Sequence, residues 1–123
     1  MKNTRSQELV IGGYTAPHGS RVELGALLLG HFDDGRLRYA GKVGTGFDAA
    51  TLHDLGARLR DLRRDASPFA DEVREREAGW VEPELVAQVG FSEWTRDGRL
   101  RHPRFLGLRE DKPARDVVRE RPR

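Results

Sequence analysis

Two Asp-Gly pairs, Asp34-Gly35 and Asp97-Gly98, constrain this chain more than any other feature. Asp-Gly tolerates the positive φ of a tight reversal, so each pair marks a hairpin between the segments that flank it. The first joins Gly25–Phe32 to Leu37–Val43, and the second joins Leu85–Thr95 to Leu100–Leu108. Ahead of both, Glu8-Leu-Val-Ile-Gly-Gly-Tyr14 is an apolar run closed by glycines and reads as a first strand. Between the hairpins a single helix is predicted from about Ala49 to Arg64. Asp48 stands where an N-cap belongs, and Leu52, Leu55, Leu59 and Leu62 recur at spacings of three, four and three. That leucine stripe is packing, not a site. The order β-β-β-α-β-β fits an all-β fold: a five-stranded Greek-key barrel of the oligonucleotide-binding kind (OB-fold), with one helix between strands three and four. Gly90 is the expected bend that a small barrel needs for closure. Asp71 to Gly79 reads as a charged connector, and the tail from Lys112 as a segment that frays or forms a short helix.

At 123 residues there is room for one core and not two. The longest apolar step, Ala26 to Leu29, suits a strand and falls far short of a membrane span. The polar start Met1 to Glu8 has no apolar signal region, so a cytoplasmic, nucleoid-associated protein is expected. With no cysteine, disulfides and thiolate metal sites are excluded, and His18, His31, His53 and His102 are too scattered to suggest a metal. The net charge of +2 hides an asymmetry. From Arg96 to Arg123 ten Lys/Arg face five Asp/Glu, leaving twelve basic and fifteen acidic residues in the rest. A basic end on a near-neutral body is the footprint expected of something that meets phosphates.

Two groups of cations stand out. In Arg101-His-Pro-Arg-Phe-Leu-Gly-Leu-Arg-Glu-Asp-Lys112, Arg109 and Lys112 lie three apart, a spacing suited to gripping a polyphosphate from two sides. The alternative is a solvated basic loop. On the third strand, alternation puts Leu37, Tyr39, Gly41 and Val43 on one face and Arg38, Ala40 and Lys42 on the other. That face is either plain solvated surface or phosphate-facing. Trp80 and Trp94 read as packing residues rather than base-stacking platforms.

Glu8-Leu-Val-Ile-Gly-Gly-Tyr-Thr15, Tyr39-Ala-Gly-Lys-Val-Gly-Thr-Gly-Phe47, Trp80–Phe91 and Arg101–Lys112 occur here in that order. Together they closely resemble the C-terminal OB domain of bacterial ATP-dependent DNA ligases, nearest to the ligase D type of non-homologous end joining. The resemblance runs from about Lys2 to Arg115. It implies residues 1–7 as a remnant of the hinge to a nucleotidyltransferase domain (Asn3 to Gln7 supplying the flexibility), 8–112 as the OB domain and 113–123 as a charged tail. No Lys-x-Asp-Gly, the family's adenylylated motif, occurs in these residues, so the chain looks like a ligase cut at that hinge.

By the same resemblance Arg109, Asp111 and Lys112 occupy the family's sixth motif, which orients the leaving pyrophosphate of ATP while the catalytic lysine is adenylylated. Lys2 falls where the second lysine of the fifth motif is expected, beside the nucleotide. After that step the domain would rotate and present another face to nicked duplex DNA, for which Arg38, Lys42, Gly44 and Gly46 are the candidates. ATP and magnesium would belong to the full ligase, with no cofactor and no metal held by this domain alone. The expected partners are nicked DNA and the nucleotidyltransferase domain, with no membrane, and the chain is expected to be monomeric and inactive alone. The alternatives are a stand-alone DNA-binding module without catalysis and an idle remnant that folds but binds nothing.

Overall fold

A computed structural model of the chain describes residues 5–16, 24–75 and 77–118. Its longest strand, β1 (Arg5–Thr15), is the organising element. Along one side β1 pairs antiparallel with β2 (Leu27–Asp33), which turns through Asp34 and Gly35 into β3 (Arg36–Val43). Both turn residues have positive φ, 54° and 78°, as the Asp-Gly pair predicts. Helix α1 (Ala49–Asp61) follows, with the Asp48 carboxylate accepting from the Thr51 N–H at 2.8 Å. It stops three residues short of the predicted Arg64. There the chain turns into β4 (Arg63–Arg64), which pairs with β5 (Ala78–Val81), and β5 in turn joins the far end of β1.

The predicted strand Leu85–Thr95 is β6 (Val86–Phe91) and, after a break at Ser92, β7 (Glu93–Trp94). β7 pairs with β8 (Leu100–Arg101), across the second Asp-Gly reversal. His102, at φ 53°, and Pro103 then redirect the chain into β9 (Arg104–Arg109), which pairs with β6. The principal strands β1, β2, β3, β6 and β9 are thus the five expected, and the architecture is that of an OB-fold. Around the barrel, β9 meets the segment just after β3 through the Phe105 N–H, which donates to the Thr45 carbonyl at 2.9 Å. The irregularity expected at Gly90 lies elsewhere. Gly90 is in register with both Ser6 and Arg104, and the bulge falls on β9 at Leu106, where Gln88 opposes Gly107 and Val89 opposes Phe105.

Alternation buries both faces of the central strands. Leu9, Ile11, Leu27, Leu29, Ala40, Val43, Ala87, Val89, Phe91 and Phe105 fill the barrel, with Leu55 and Leu59 of α1 packed into it as the leucine stripe required. On the outer face Val10, Leu28, Leu37, Val86 and Val117 gather around Phe69. The connector after α1 and the segment around Ala114 and Val117 close this second cluster. The Ala70 N–H donates to the Leu37 carbonyl at 2.7 Å, and the Phe32 N–H to that of Val117 at 2.7 Å. Gly12 and Gly30 make the slot for Phe69: a Cβ on Gly12 would lie 2.6 Å from its ring and one on Gly30 2.8 Å. Trp80 meets Phe69 edge-on, and Trp94 meets Phe91 in the same way, so both tryptophans serve packing. No helix among the described residues is long and apolar enough to cross a membrane.

The outer cluster reaches into segments the sequence reading left loose. Val117 is buried and follows a short 3-10 turn (Ala114–Asp116), while the Gln7 side-chain amide donates to the Val118 carbonyl at 3.1 Å. Arg5, Ser6 and Gln7, expected within a hinge, are ladder residues opposite Phe91, Gly90 and Val89. Lys2 and Asn3 lie outside the described residues.

Candidate functional site

Arg109 ends β9, and its guanidinium lies across the outer face over β6 and β1. Strand register explains its neighbours: Glu8 of β1 is opposite Gln88 of β6, and Gln88 is opposite Gly107, two residues before Arg109. Diagonal neighbours on one face of a sheet are within reach of a long side chain. Arg109 Nη1 donates to Glu8 Oε2 at 2.8 Å and to Gln88 Oε1 at 2.9 Å. Its Nε and Nη2 grip both oxygens of Asp111 at 3.1 Å, a bidentate fork. Lys112 Nζ closes the set by donating to Glu8 Oε1 at 3.1 Å.

The three residues expected from the sequence are therefore brought together, in a chain of alternating charge, Lys112–Glu8–Arg109–Asp111. Its inner member, the Glu8 side chain, is only 16% exposed, against 38% for Arg109 and 72% for Asp111. The hydrogen bonds from Arg109 hold the Asp111 carboxyl below the usual carboxylate range, and Asp111 in return raises the guanidinium pKa. Glu8 and Gln88 were not singled out in the sequence. The available signal was weak: each is a polar residue in an apolar strand, on the face opposite Leu9 and Ala87.

The third-strand group is different. The register shift between Leu29 and Gly30 inserts Ala40 as an extra residue on β3, with Gly41 at φ 117° beside it. The bulge overturns the expected alternation. Leu37 and Val43, predicted on one face, belong to different clusters, and Ala40, predicted beside Arg38 and Lys42, is fully buried in the barrel. Arg38 and Lys42 thus leave the strand on opposite faces: Lys42 is opposite Leu28 of the outer cluster, while Arg38 is opposite His31.

Both cations nonetheless end on the connector, which lies against β3: Phe69 bridges to Leu37, and the Ala70 N–H donates to the Leu37 carbonyl. Arg38 pairs with Asp71 at 3.4 Å and Lys42 with Glu75 at 3.1 Å. Between them, burial pushes the Tyr39 hydroxyl up to about 12, with Glu75 adding to the shift and Arg99 opposing it. The Arg99 guanidinium lies 4.8 Å from the Tyr39 ring centre, and its Nη1 donates to the Tyr39 carbonyl at 2.9 Å.

Gly46, expected to admit a nucleic-acid backbone, already admits one from the chain itself. At φ 95° it lies against the Phe105 backbone, and a Cβ there would come within 2.8 Å of the Phe105 nitrogen. Gly44 likewise approaches Gly25, whose carbonyl would be 3.3 Å from an added Cβ.

Arg109 and Lys112 suit a polyanion by chemistry, a planar fork beside a point charge. Among the described residues no three His, Asp or Glu side chains gather as a metal cage.

Residues 20–112 match the family described as the ATP dependent DNA ligase C terminal region. A multifunctional non-homologous end joining protein, LigD, of Pseudomonas aeruginosa is 51% identical over 122 residues, which is 94% of this chain and 14% of that protein. The LigD of Mycobacterium tuberculosis is 45% identical over 123 residues, 97% of this chain and 16% of its own length. The chain therefore spans only about a seventh of these relatives. Among solved structures, the ligase domain of M. tuberculosis LigD superimposes with a TM-score of 0.89 at 44% identity, covering 97% of this chain and 40% of that one. A mycobacterial DNA ligase D complexed with ATP and MES gives 0.84 at 42% identity, covering 94% and 38%.

Proposed function

This chain belongs to the family of C-terminal regions of ATP-dependent DNA ligases, and we propose that it acts as the closing half of such an enzyme in non-homologous end joining. On this reading the domain swings over the nucleotide pocket of a nucleotidyltransferase domain, and Arg109 and Lys112 orient the departing pyrophosphate during lysine adenylylation. Asp111 holds the Arg109 fork in plane. ATP and magnesium would be held by the partner domain, with Lys2 and the two cations of the sixth motif reaching the nucleotide from this side. Electrostatic stabilisation and positioning are most of what a protein supplies to such a transfer. In the second half of the cycle the domain engages nicked duplex DNA by sequence-independent phosphate contacts, for which Arg38, Lys42, Gly44 and Gly46 are the candidates. The setting proposed is a monomer in the cytoplasm, at the nucleoid, with no membrane involved.

The observation that carries this reading is the convergence of Arg109, Asp111 and Lys112 on one face, anchored from beneath by a strand carboxylate. The test joins this domain to a nucleotidyltransferase domain and separates the two steps. Arg109→Ala is expected to slow enzyme adenylylation by about a hundredfold, the scale of losing one preorganised donor. Sealing of a pre-adenylylated nick is expected to change by no more than a few-fold, since pyrophosphate has already left. Equal losses in both steps would sink the assignment.

A further inference from the structure

We propose that Glu8 is a positioning residue for adenylylation, setting Arg109 and Lys112 as the two prongs of one anion grip; this rests on the reading above. The geometry is specific. Each carboxylate oxygen of Glu8 takes a different cation, Oε1 from Lys112 at 3.1 Å and Oε2 from Arg109 at 2.8 Å. A single bridging carboxylate keeps the two cations close together, so that both can face a pair of oxygens on one small anion. A phosphoryl group presents such a pair of oxygens. Glu8 therefore works as an internal template for the group the cations are to meet.

The backbone makes the template stiff. Lys112 lies in the segment after β9 and Arg109 at its last residue, where side chains have wide freedom. Glu8 instead sits inside β1, with β6 laddered beside it over Arg5 to Val10, and its side chain is less exposed than that of either cation. Gln88, directly opposite it, offers Arg109 Nη1 a second acceptor at 2.9 Å, so the guanidinium is referenced to two adjacent strands. Holding reactive groups in place before the reaction removes an ordering cost from the barrier, and small misplacements are expensive. Neither cation needs to leave Glu8 to serve: of the five N–H donors of Arg109, Glu8, Gln88 and Asp111 take four, and of the three on Lys112, Glu8 takes one.

The test uses the joined ligase, with single-turnover adenylylation measured across ATP concentrations and nick sealing measured on pre-adenylylated DNA. Glu8→Ala is expected to lower the adenylylation rate at saturating ATP by about tenfold or more, with half-saturating ATP changed far less, because orientation rather than attraction is lost. Glu8→Gln keeps one oxygen acceptor in the same place and is expected to recover part of that rate. Both variants should seal pre-adenylylated nicks normally. Adenylylation by Glu8→Ala at the unmodified rate would overturn the proposal, as would an equal loss in sealing, which would mark Glu8 as merely structural. Arg109→Ala in the same assay separates the two ideas: if it too is silent, the sixth-motif reading itself has failed, whereas a silent Glu8→Ala beside a crippled Arg109→Ala removes only the template.

Discussion

The Arg109 network and the β3 edge both pair two cations with carboxylates, but the carboxylates stand on different kinds of backbone. At Arg109 the central acceptor is a residue of the longest strand, and two cations converge on it. At β3 each cation has its own acid, Asp71 or Glu75, and both acids lie on the irregular connector between β4 and β5. Exposed one-to-one pairs contribute about 0–1 kcal/mol and exchange readily with solvent ions. A shared acceptor built into a ladder imposes a geometry. The difference separates two cations tied to one carboxylate inside a strand from two cations whose acids lie on a separate segment.

Phe69→Ala should give the largest effect and break the comparison from the β3 side. This ring fastens the connector to Gly12, Gly30, Tyr39 and Trp80, and it is nearly fully buried. Truncating a buried Phe costs about 3–5 kcal/mol. Urea unfolding should register that loss, and at low urea the connector should exchange its amide hydrogens faster while the Glu8–Arg109 region stays protected. Uniform loss of protection across both regions would show that the connector and the strand-built network are one cooperative unit.

How much of this was legible in the sequence depends on whether the determinant was local. The two Asp-Gly reversals and the Asp48 cap were readable because their physics is local, and positive φ appears at Asp34 and Gly35 in the first turn and at Gly98 in the second. The Arg109–Lys112 grouping was readable for the same reason. The alternation of β3 failed because the extra residue at Ala40 exists only in its register with β2, a relation that no window of β3 contains. The early stop of α1 depends on Arg63 and Arg64 pairing with Val81 and Trp80. Glu8 meets Arg109 across 101 positions of sequence, and Arg38 meets Asp71 across 33, so neither partner could be chosen without the fold.

A middle-sized effect should come from neutralising the connector's two acids. In the double variant Asp71→Asn, Glu75→Gln the connector keeps its shape and loses its charge, leaving Arg38 and Lys42 without their acids. If these two cations meet DNA phosphates, affinity of this chain for nicked duplex should rise, and the slope of log K against log salt should steepen by up to about two, one per phosphate newly contacted. The same measurement on Glu8→Gln is the sharpening control, since partial release at the strand-built site should leave the slope nearly unchanged. An unaltered slope in the double variant would remove Arg38 and Lys42 from the DNA surface and with them the case for a self-sufficient binding module.

The smallest effect concerns protons, and it compares a carboxylate of the Arg109 network with one on the second hairpin. Asp111 and Asp97 are both exposed and both held below the usual aspartate value of 3.8, but by different donors: the Arg109 guanidinium for Asp111 and the Thr95 hydroxyl for Asp97. A depressed carboxyl pKa means that the contact is intact at and above the ordinary value and is lost as the pH falls through the lower one. Near pH 3.8, where a free aspartate is half protonated, both should be more than half ionised. Carbon-13 carboxyl titration reads this directly. In Arg109→Ala, Asp111 should move back towards the ordinary range while Asp97, on the far hairpin, keeps its position. An Asp111 that stays depressed without Arg109 would mean that its own backbone and Lys112 hold it. The alternating chain of charge would then end at Arg109, and Asp111 would have no part in keeping the guanidinium in plane.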